Sequence, residues 1–452
     1  MTSQLRFIYQ CTIVAALGGL LFGYDTAVVA GAIGFIEEKY KLSAAMTGWA
    51  ASCALIGCMI GAMIAGGLSD KLGRRKVLMI SAWAFAISSV GIMIPLELNS
   101  FIIFRMIGGI GIGIASILSP MYISEIAPAS IRGRLISIYQ LGIVIGILLI
   151  YFVNAAIAGM HDHQWNVDMG WRWMFGSGLL PSIFFILLLL RAPESPRWLA
   201  AQNKWDAAND ILKKVNGEEK AQEEASAIRA SLSEQQGSFG ELLKPGLRTA
   251  LIIGVVLSIL SQVTGINVIM YYAPEIFKAT GDGASSALMQ TVLVGGINVL
   301  MTLVAIRYVD QLGRKKLLLI GAAGMAVCLG LVGMAFYQQA TTGYLVLAGI
   351  LLYISFFAIS LGPLTFVVVA EIFPNHIRGR AMGVAIFFLW LSVYIVSQTF
   401  PMLLEAIGTA YTFSIYMVMS VIAFFFIWKM VPETKEKTLE EIQDMWKIKS
   451  KS

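Results

Sequence analysis

Two ionisable side chains stand where the sequence otherwise offers only hydrocarbon. Asp25 lies two-thirds along the apolar stretch 7–34, and Arg105 lies five residues into the stretch 101–124. An acid at that depth costs at least about 2.5–3.5 kcal/mol on insertion scales, so it needs a cation, a proton or a water-filled cavity. The first stretch runs outward and the fourth inward, which brings the two side chains to matching depth. One chemistry is a proton site: the carboxyl is ionised while Arg105 pairs with it and takes a proton when the pair opens. The other is a permanent structural ion pair.

A second set of polar residues sits in equally apolar surroundings. Gln140, Gln262, Asn267, Tyr271 and Asn298 offer amides and a phenol, and Phe22 and Trp390 offer flat aromatic faces. Sugars are recognised by such amides and aromatic faces. An isolated amide in a membrane helix also serves to glue helices together. Gln262 and Asn267 are five residues apart with Gly265 between them. On a straight helix they would point to opposing faces. A local unwinding at Thr264-Gly265 would turn both to one cavity, and such breaks are tolerated where they line water.

The elements that position these residues follow from composition. Of 452 residues, 58% are hydrophobic and 13% charged, against roughly 25% charged in soluble domains. Such a chain cannot cover a soluble surface, and the lipid bilayer is its surrounding. Apolar stretches of about 20 residues, the length that crosses ~30 Å of hydrocarbon, fall at 7–34, 47–68, 76–96, 101–124, 134–158 and 171–191, then at 248–272, 286–308, 316–337, 343–371, 379–403 and 410–430. Of the 33 Lys and Arg residues, only Lys39, Lys41, Arg172 and Lys278 fall on one side and Arg105 within a span. The positive-inside rule makes the other side, with both termini, cytoplasmic. The net charge of +6 is thus a topology signal, and nucleic-acid binding is not expected.

The chain repeats itself. GGLSDKLGRRK (66–76) returns as YVDQLGRKK (308–316), SEIAPASIRGRLIS (124–137) as AEIFPNHIRGRAMG (370–383), and PESPRWL (193–199) as PETKEKTLEEI (432–442). Arg74 and Arg314 are 240 residues apart, Glu125 and Glu371 246, and Glu194 and Glu433 239. Near-constant offsets imply six plus six helices in parallel repeat. The expected division is a first bundle over 1–194, a polar helical linker over 195–245, a second bundle over 246–432 and a terminal helix over 433–452. Within the linker, 204–215 and 218–235 read as helices broken at Asn216-Gly217, and Thr438 with Glu441 reads as a capping box.

The repeated motifs place one charged set at matching helix ends of both halves. It comprises Asp70, Arg74, Glu125, Arg132, Glu194 and Arg197 in the first half, and Asp310, Arg314, Glu371, Arg378 and Glu433 in the second. Such a set can act as a cytoplasmic gate that holds and releases the halves. The bland alternative is topology plus surface salt bridges worth ~0–1 kcal/mol each. Gly108-Gly109, Gly111, Gly113 and Pro120 in the fourth span, with Gly362-Pro363 in the tenth, fit close packing and bending.

The GRR and GRK loops, the paired E-x6-R-G-R motifs, PESPRWL and PETK, in this order and spacing, resemble the sugar porters of the major facilitator superfamily. The resemblance runs from about Tyr24 to Glu441. It is strongest to bacterial proton-coupled pentose (xylose/arabinose) symporters, through FGYDTAVVAG, IGGIGIGIASILSPMYISEIAP and QVTGINVIMYYAPEIF. The resemblance implies an all-α membrane protein with twelve transmembrane helices in two six-helix halves and short cytoplasmic helices. It also implies that Asp25 carries the proton and that the Q-x4-N pair Gln262 and Asn267 binds sugar. Gly362 and Phe366, in GPLTF (362–366), stand at the substrate-binding positions of the tenth span. Four positions depart from the family pattern: Ser261 and Ile147 where relatives have Gln, Phe366 for a Trp, and Leu389 for Asn or Gln before Trp390. Each removes a hydrogen bond or an indole from the pocket.

The expected function is import of a monosaccharide with a proton, by a chain of the cell membrane acting as a monomer. A facilitative uniporter, in which Asp25 serves only structure, and a transporter-like sensor are the alternatives. Enzyme chemistry and ATP-driven pumping are not expected, since no G-x4-G-K-[ST] loop or nucleophile–base pair is present. Neither cofactor nor metal is expected. His161 and His163 flank Asp162 in a solvated loop, and Cys11, Cys53, Cys58 and Cys328 read as packing residues.

Overall fold

The computed structural model describes residues 3–435 apart from 95–96, 129–130, 234–238, 245–246, 282, 340–343 and 374. The Thr438–Glu441 capping box and most of the 433–452 helix lie outside the described residues, as does the side chain of Asp310. Among the described residues the regular elements are helices throughout. That outcome follows from the composition, because in lipid each backbone polar group must be satisfied within its own segment.

The chain is an all-α membrane protein with twelve transmembrane helices. The first six spans are Ser3–Tyr40, Ala44–Leu72, Arg74–Met93, Leu98–Ile126, Arg132–Ala158 and the composite His163–Arg191. The next four are Leu247–Lys278, Ala284–Leu312, Arg314–Tyr337 and Leu345–Glu371. The eleventh and twelfth form one continuous stretch, Asn375–Met430, broken at Gly408 (φ 78°). Short helices Pro196–Ala201, Trp205–Asn216 and Glu218–Ser233 follow the sixth span. The first of these begins at Pro196 because Ser195 Oγ accepts from the Trp198 N–H, at 3.2 Å, the usual N-cap bond.

Several expected boundaries move, the end of the first span from 34 to Tyr40 among them. The sixth span begins at His163, earlier than the expected 171, through a π-helical turn at Asn166–Gly170. Asp162 Oδ1 caps this entry by accepting from the Trp165 N–H, at 2.9 Å. The loop histidines therefore flank a helix start, and His163 Nε2 lies 2.8 Å from Glu38 Oε2. The seventh span continues to Lys278 but is broken into Leu247–Val263 and Ile266–Lys278. The tenth is broken as well, into Leu345–Ala358 and Leu361–Glu371, with Ser360 at φ −130°, ψ −100° between them.

By packing, the chain forms two compact units. One comprises Met1–Thr26, Ile56–Leu149 and Arg172–Gln235, and the other Ala27–Leu55, Ile150–Trp171 and Gln236–Ser452. These units are a different division from the two halves of the repeat. In the second unit, the ends of the first, second, fifth and sixth spans remote from the Gly73 turn are packed with the second-half helices.

Candidate functional site

In the first unit, Arg105 Nη1 donates to Asp25 Oδ2 at 2.8 Å. The Arg105 side chain is 2% exposed and that of Asp25 13%. The guanidinium also lies over the Phe175 ring, 5.0 Å from its centroid, a geometry that adds cation–π attraction. Tyr24 Oη and Ser177 Oγ are 2.7 Å apart nearby. The first and fifth spans meet at backbone distance around Gly23, where a methyl group would stand 3.1 Å from the Ile147 nitrogen. Phe22 and Gln140 belong to these same two spans and are half-buried. An acid so placed can hold a proton or a guanidinium, one at a time.

In the second unit, the break in the seventh span does what the spacing of Gln262 and Asn267 demanded. Asn267 Nδ2 donates to Gln262 Oε1 at 2.6 Å, and Gln262 Nε2 donates to Ser261 Oγ at 3.0 Å. Gly265 makes the break with φ 96°, a left-handed conformation that glycine alone adopts without penalty. It also lets the Tyr416 ring approach, since a Cβ there would stand 2.9 Å from Tyr416 Cγ. The freed Thr264 carbonyl accepts from Tyr353 Oη at 3.0 Å. Sequence reasoning had missed Tyr353, because a tyrosine in an apolar run reads as packing.

The other predicted contacts are spread over this unit. Tyr271, Asn298 and Trp390 are buried on the seventh, eighth and eleventh spans. Gly362 opens the second segment of the tenth span, and Phe366, four residues on, is 41% exposed. The structure directly bonds Asp25 to Arg105 and Gln262 to Asn267. An apolar depression beside Tyr411 and Met419 contains none of the site residues.

The charged motifs form two matching constellations, each within one half of the repeat. Arg74 Nε and Nη2 donate to Glu125, both at 3.0 Å, and Arg74 Nη1 donates to Asp70 Oδ1 at 3.0 Å. Glu194 Oε1 accepts from the backbone N–H groups of Arg74 at 2.9 Å, Arg75 at 3.2 Å and Ser195 at 2.9 Å. In the other half, Arg314 Nη2 donates to Glu371 Oε1 at 3.2 Å. Glu433 accepts from the N–H groups of Arg314 at 3.0 Å, Lys315 at 3.1 Å and Thr434 at 3.0 Å. Arg132 and Arg378 each reach the carbonyl five residues earlier, Ala127 and Phe373, at 3.3 Å. Arg197 is exposed.

Both glutamates thus sit on a helix N-terminus, where free N–H groups and the helix dipole favour negative charge. Gly73 (φ 96°) and Gly313 (φ 85°) make room for them, since a Cβ at Gly313 would stand 2.8 Å from Glu433 Oε2. The motifs had marked Glu194 and Glu433, but side-chain spacing could not show that their partners are backbone groups.

A third cluster was missed. In the second unit, Tyr151 Oη donates to the Met270 carbonyl at 2.6 Å. Ser52 Oγ donates to Gln398 Oε1 at 2.9 Å, and Gln398 Nε2 donates to the Ala45 carbonyl at 2.9 Å. These bonds tie the second and fifth spans to the seventh and eleventh, at the end remote from the Gly73 turn. No motif marks them. Among the described residues, no cluster of His, Cys, Asp and Glu could hold a metal ion.

Comparison with known proteins places this architecture. Residues 11–446 match the family described as Sugar (and other) transporter. The chain is 46% identical over 444 residues to the arabinose-proton symporter of Bacillus subtilis (strain 168), covering 98% of this chain and 96% of that protein. It is 44% identical over 478 residues to the D-xylose-proton symporter of Escherichia coli (strain K12), covering 98% and 97%. Among solved structures it is similar to the major facilitator superfamily proton:xylose symporter XylE bound to 6-bromo-6-deoxy-D-glucose, with TM-score 0.85 at 43% identity, covering 98% of this chain and 100% of that one. It is also similar to the inward-open conformation of the xylose transporter XylE from E. coli, with TM-score 0.86 at 42% identity, covering 97% and 100%.

Proposed function

This chain belongs to the sugar transporter family, and on that premise we propose that it imports a monosaccharide, a pentose or hexose, by proton symport through alternating access. It is a multi-pass protein of the plasma membrane. The observation that carries the coupling is the buried 2.8 Å pair of Asp25 and Arg105. A proton on Asp25 removes one of the two charges, and the pair then loses its reason to stay closed.

The same reading assigns the remaining residues. Phe22, Gln140, Gln262, Asn267, Tyr271, Asn298, Gly362, Phe366 and Trp390 hold the sugar. The charged sets around Arg74 and Arg314 form the cytoplasmic gate, with both termini on that side. The halves 1–194 and 246–432 rock about the sugar, the linker 195–245 ties them, and the segment 433–452 latches the second. The protein works as a monomer and makes or breaks no covalent bond.

The test is uptake into proteoliposomes with a panel of pentoses and hexoses, with and without an inward proton gradient. Asp25→Asn should keep counterflow of the accepted sugar and abolish pH-driven accumulation. Accumulation that persists in this variant removes Asp25 from the coupling and returns the protein to uniport or to another proton site.

A further inference from the structure

The Asp25–Arg105 pair has a neighbour that the ion-paired state does not use. Ser88, on the third span, is 1% exposed, and its Oγ has no hydrogen-bond partner. Buried hydroxyls are normally hydrogen-bonded, so an unpaired one calls for a partner in some state of the protein. The partner here lies across Gly108. A Cβ at Gly108 would stand 2.7 Å from Ser88 Oγ and 3.4 Å from Asp25 Oδ2. The two oxygens therefore border the same bare patch of the fourth span. Gly108 follows Arg105 by three residues, so both are on one helix face. Asp25 Oδ2 is also the oxygen to which Arg105 donates.

We propose that Ser88 is a positioning residue for the carried proton, its Oγ accepting the O–H of the Asp25 carboxyl once Arg105 has released it. This rests on the proton-symport reading above. A proton from solvent converts the carboxylate to the neutral acid, Arg105 keeps its charge, and the new O–H turns from the guanidinium to Ser88. Two neighbouring hydroxyls are engaged, since Tyr24 Oη and Ser177 Oγ bond each other and Ser177 Oγ donates to the Met174 carbonyl. Among the described residues, the charged or titratable groups shown beside Asp25 are Arg105 on the fourth span and Tyr24 on the first. The third and sixth spans contribute Ser88, Ser89, Phe175 and Ser177, and the fifth meets the first at Ile143 and Ile147.

The experiment is the pH profile of gradient-driven accumulation in proteoliposomes, with D-xylose and L-arabinose as probes and counterflow as the control for folding. Ser88→Ala loses the acceptor for the protonated acid, so the midpoint should move to lower pH by about half to one unit, the equivalent of one neutral hydrogen bond. Ser88→Thr should restore the wild-type midpoint. Gly108→Ala, which places a methyl group between the two oxygens, should move the midpoint the same way as Ser88→Ala. An unchanged midpoint in Ser88→Ala, or a move to higher pH, overturns the assignment. A wild type that does not respond to the gradient refutes symport itself, whereas a responsive wild type whose midpoint ignores Ser88 refutes only this role. Should Ser88→Ala fail in counterflow, Ser88→Cys, a weaker acceptor of the same size, must give a smaller shift in the same direction or the proposal falls.

Discussion

Asn267 and Gln262 touch only because the helix between them is interrupted: the amide of one donates to the carbonyl of the other at 2.6 Å, on either side of Gly265. Each amide thereby fixes the orientation of the other, and on the proposed reading the pair presents its remaining polar atoms to the sugar. Asn267→Ala and Gln262→Ala should each weaken sugar binding by about 3- to 10-fold, the worth of a neutral hydrogen bond. The double variant should lose little more than either single one, with a coupling of ~1 kcal/mol. Isothermal titration with D-xylose and L-arabinose checks this, and strict additivity would show that the two amides act separately.

The turn itself is open to test. Gly265→Ala forces a side chain into a left-handed conformation, at ~1–2 kcal/mol, and against the Tyr416 ring. Tyr353→Phe strips the Thr264 carbonyl of its donor, at about 1–3 kcal/mol for a buried acceptor. Both should lower the melting temperature in detergent, and Gly265→Ala should also raise KM because it moves Asn267. A Gly265→Ala variant with unchanged KM would show that the break does not set the amide geometry.

Arg105 is 2% exposed and its carboxylate partner 13%. Asp25→Asn removes the carboxylate to which Arg105 donates, and Arg105→Leu leaves the acid without its cation. Removing one member of a buried pair typically destabilises by about 3–5 kcal/mol. For Arg105→Leu the loss should appear as a lower melting temperature in detergent, and an unchanged melt would show that the pair does not hold the first unit together.

Much of this architecture is legible in the sequence, and the residues show why the rest is not. The spans can be read because twenty consecutive apolar residues have one physical use. The break at Thr264-Gly265 can be anticipated because two polar residues five apart have no shared face on an intact helix. The early start of the sixth span could not, since Asp162 caps it from a segment that reads as loop. The same limit hides Tyr353, Gln398 and Tyr151. Each acts on a backbone carbonyl distant in sequence, and a carbonyl carries no residue identity.

Glu194 and Glu433 grip the N-termini of the third and ninth spans. Replacing either by Gln keeps an acceptor oxygen but removes the charge, and charge-assisted bonds are roughly twice as strong as neutral ones. Glu194→Gln and Glu433→Gln should each slow net transport by about 10-fold or more while leaving equilibrium sugar binding within a factor of two, since neither residue reaches the amides (about one lost charge-assisted bond). A large loss of binding affinity would instead make them part of the ligand site.

The bond from Tyr151 Oη to the Met270 carbonyl belongs to one conformation only if the spans it joins separate during the cycle. Tyr151→Phe removes it and should shift the conformational equilibrium by a factor of about 2–10. Distances between spin labels on Met46 and Met402, both exposed, report the change. An unaltered distance distribution would make the bond a static brace.

The interruption at Gly265 leaves Ile266–Lys278 as a short rod of its own. Asn267, which faces the other amide, and Met270, whose carbonyl Tyr151 holds, are three residues apart on it. On the proposed reading, a sugar at Asn267 and the Tyr151 bond at Met270 act on the same short rod, so that a tilt felt at one is felt at the other, like the handle and the bolt of a single door leaf.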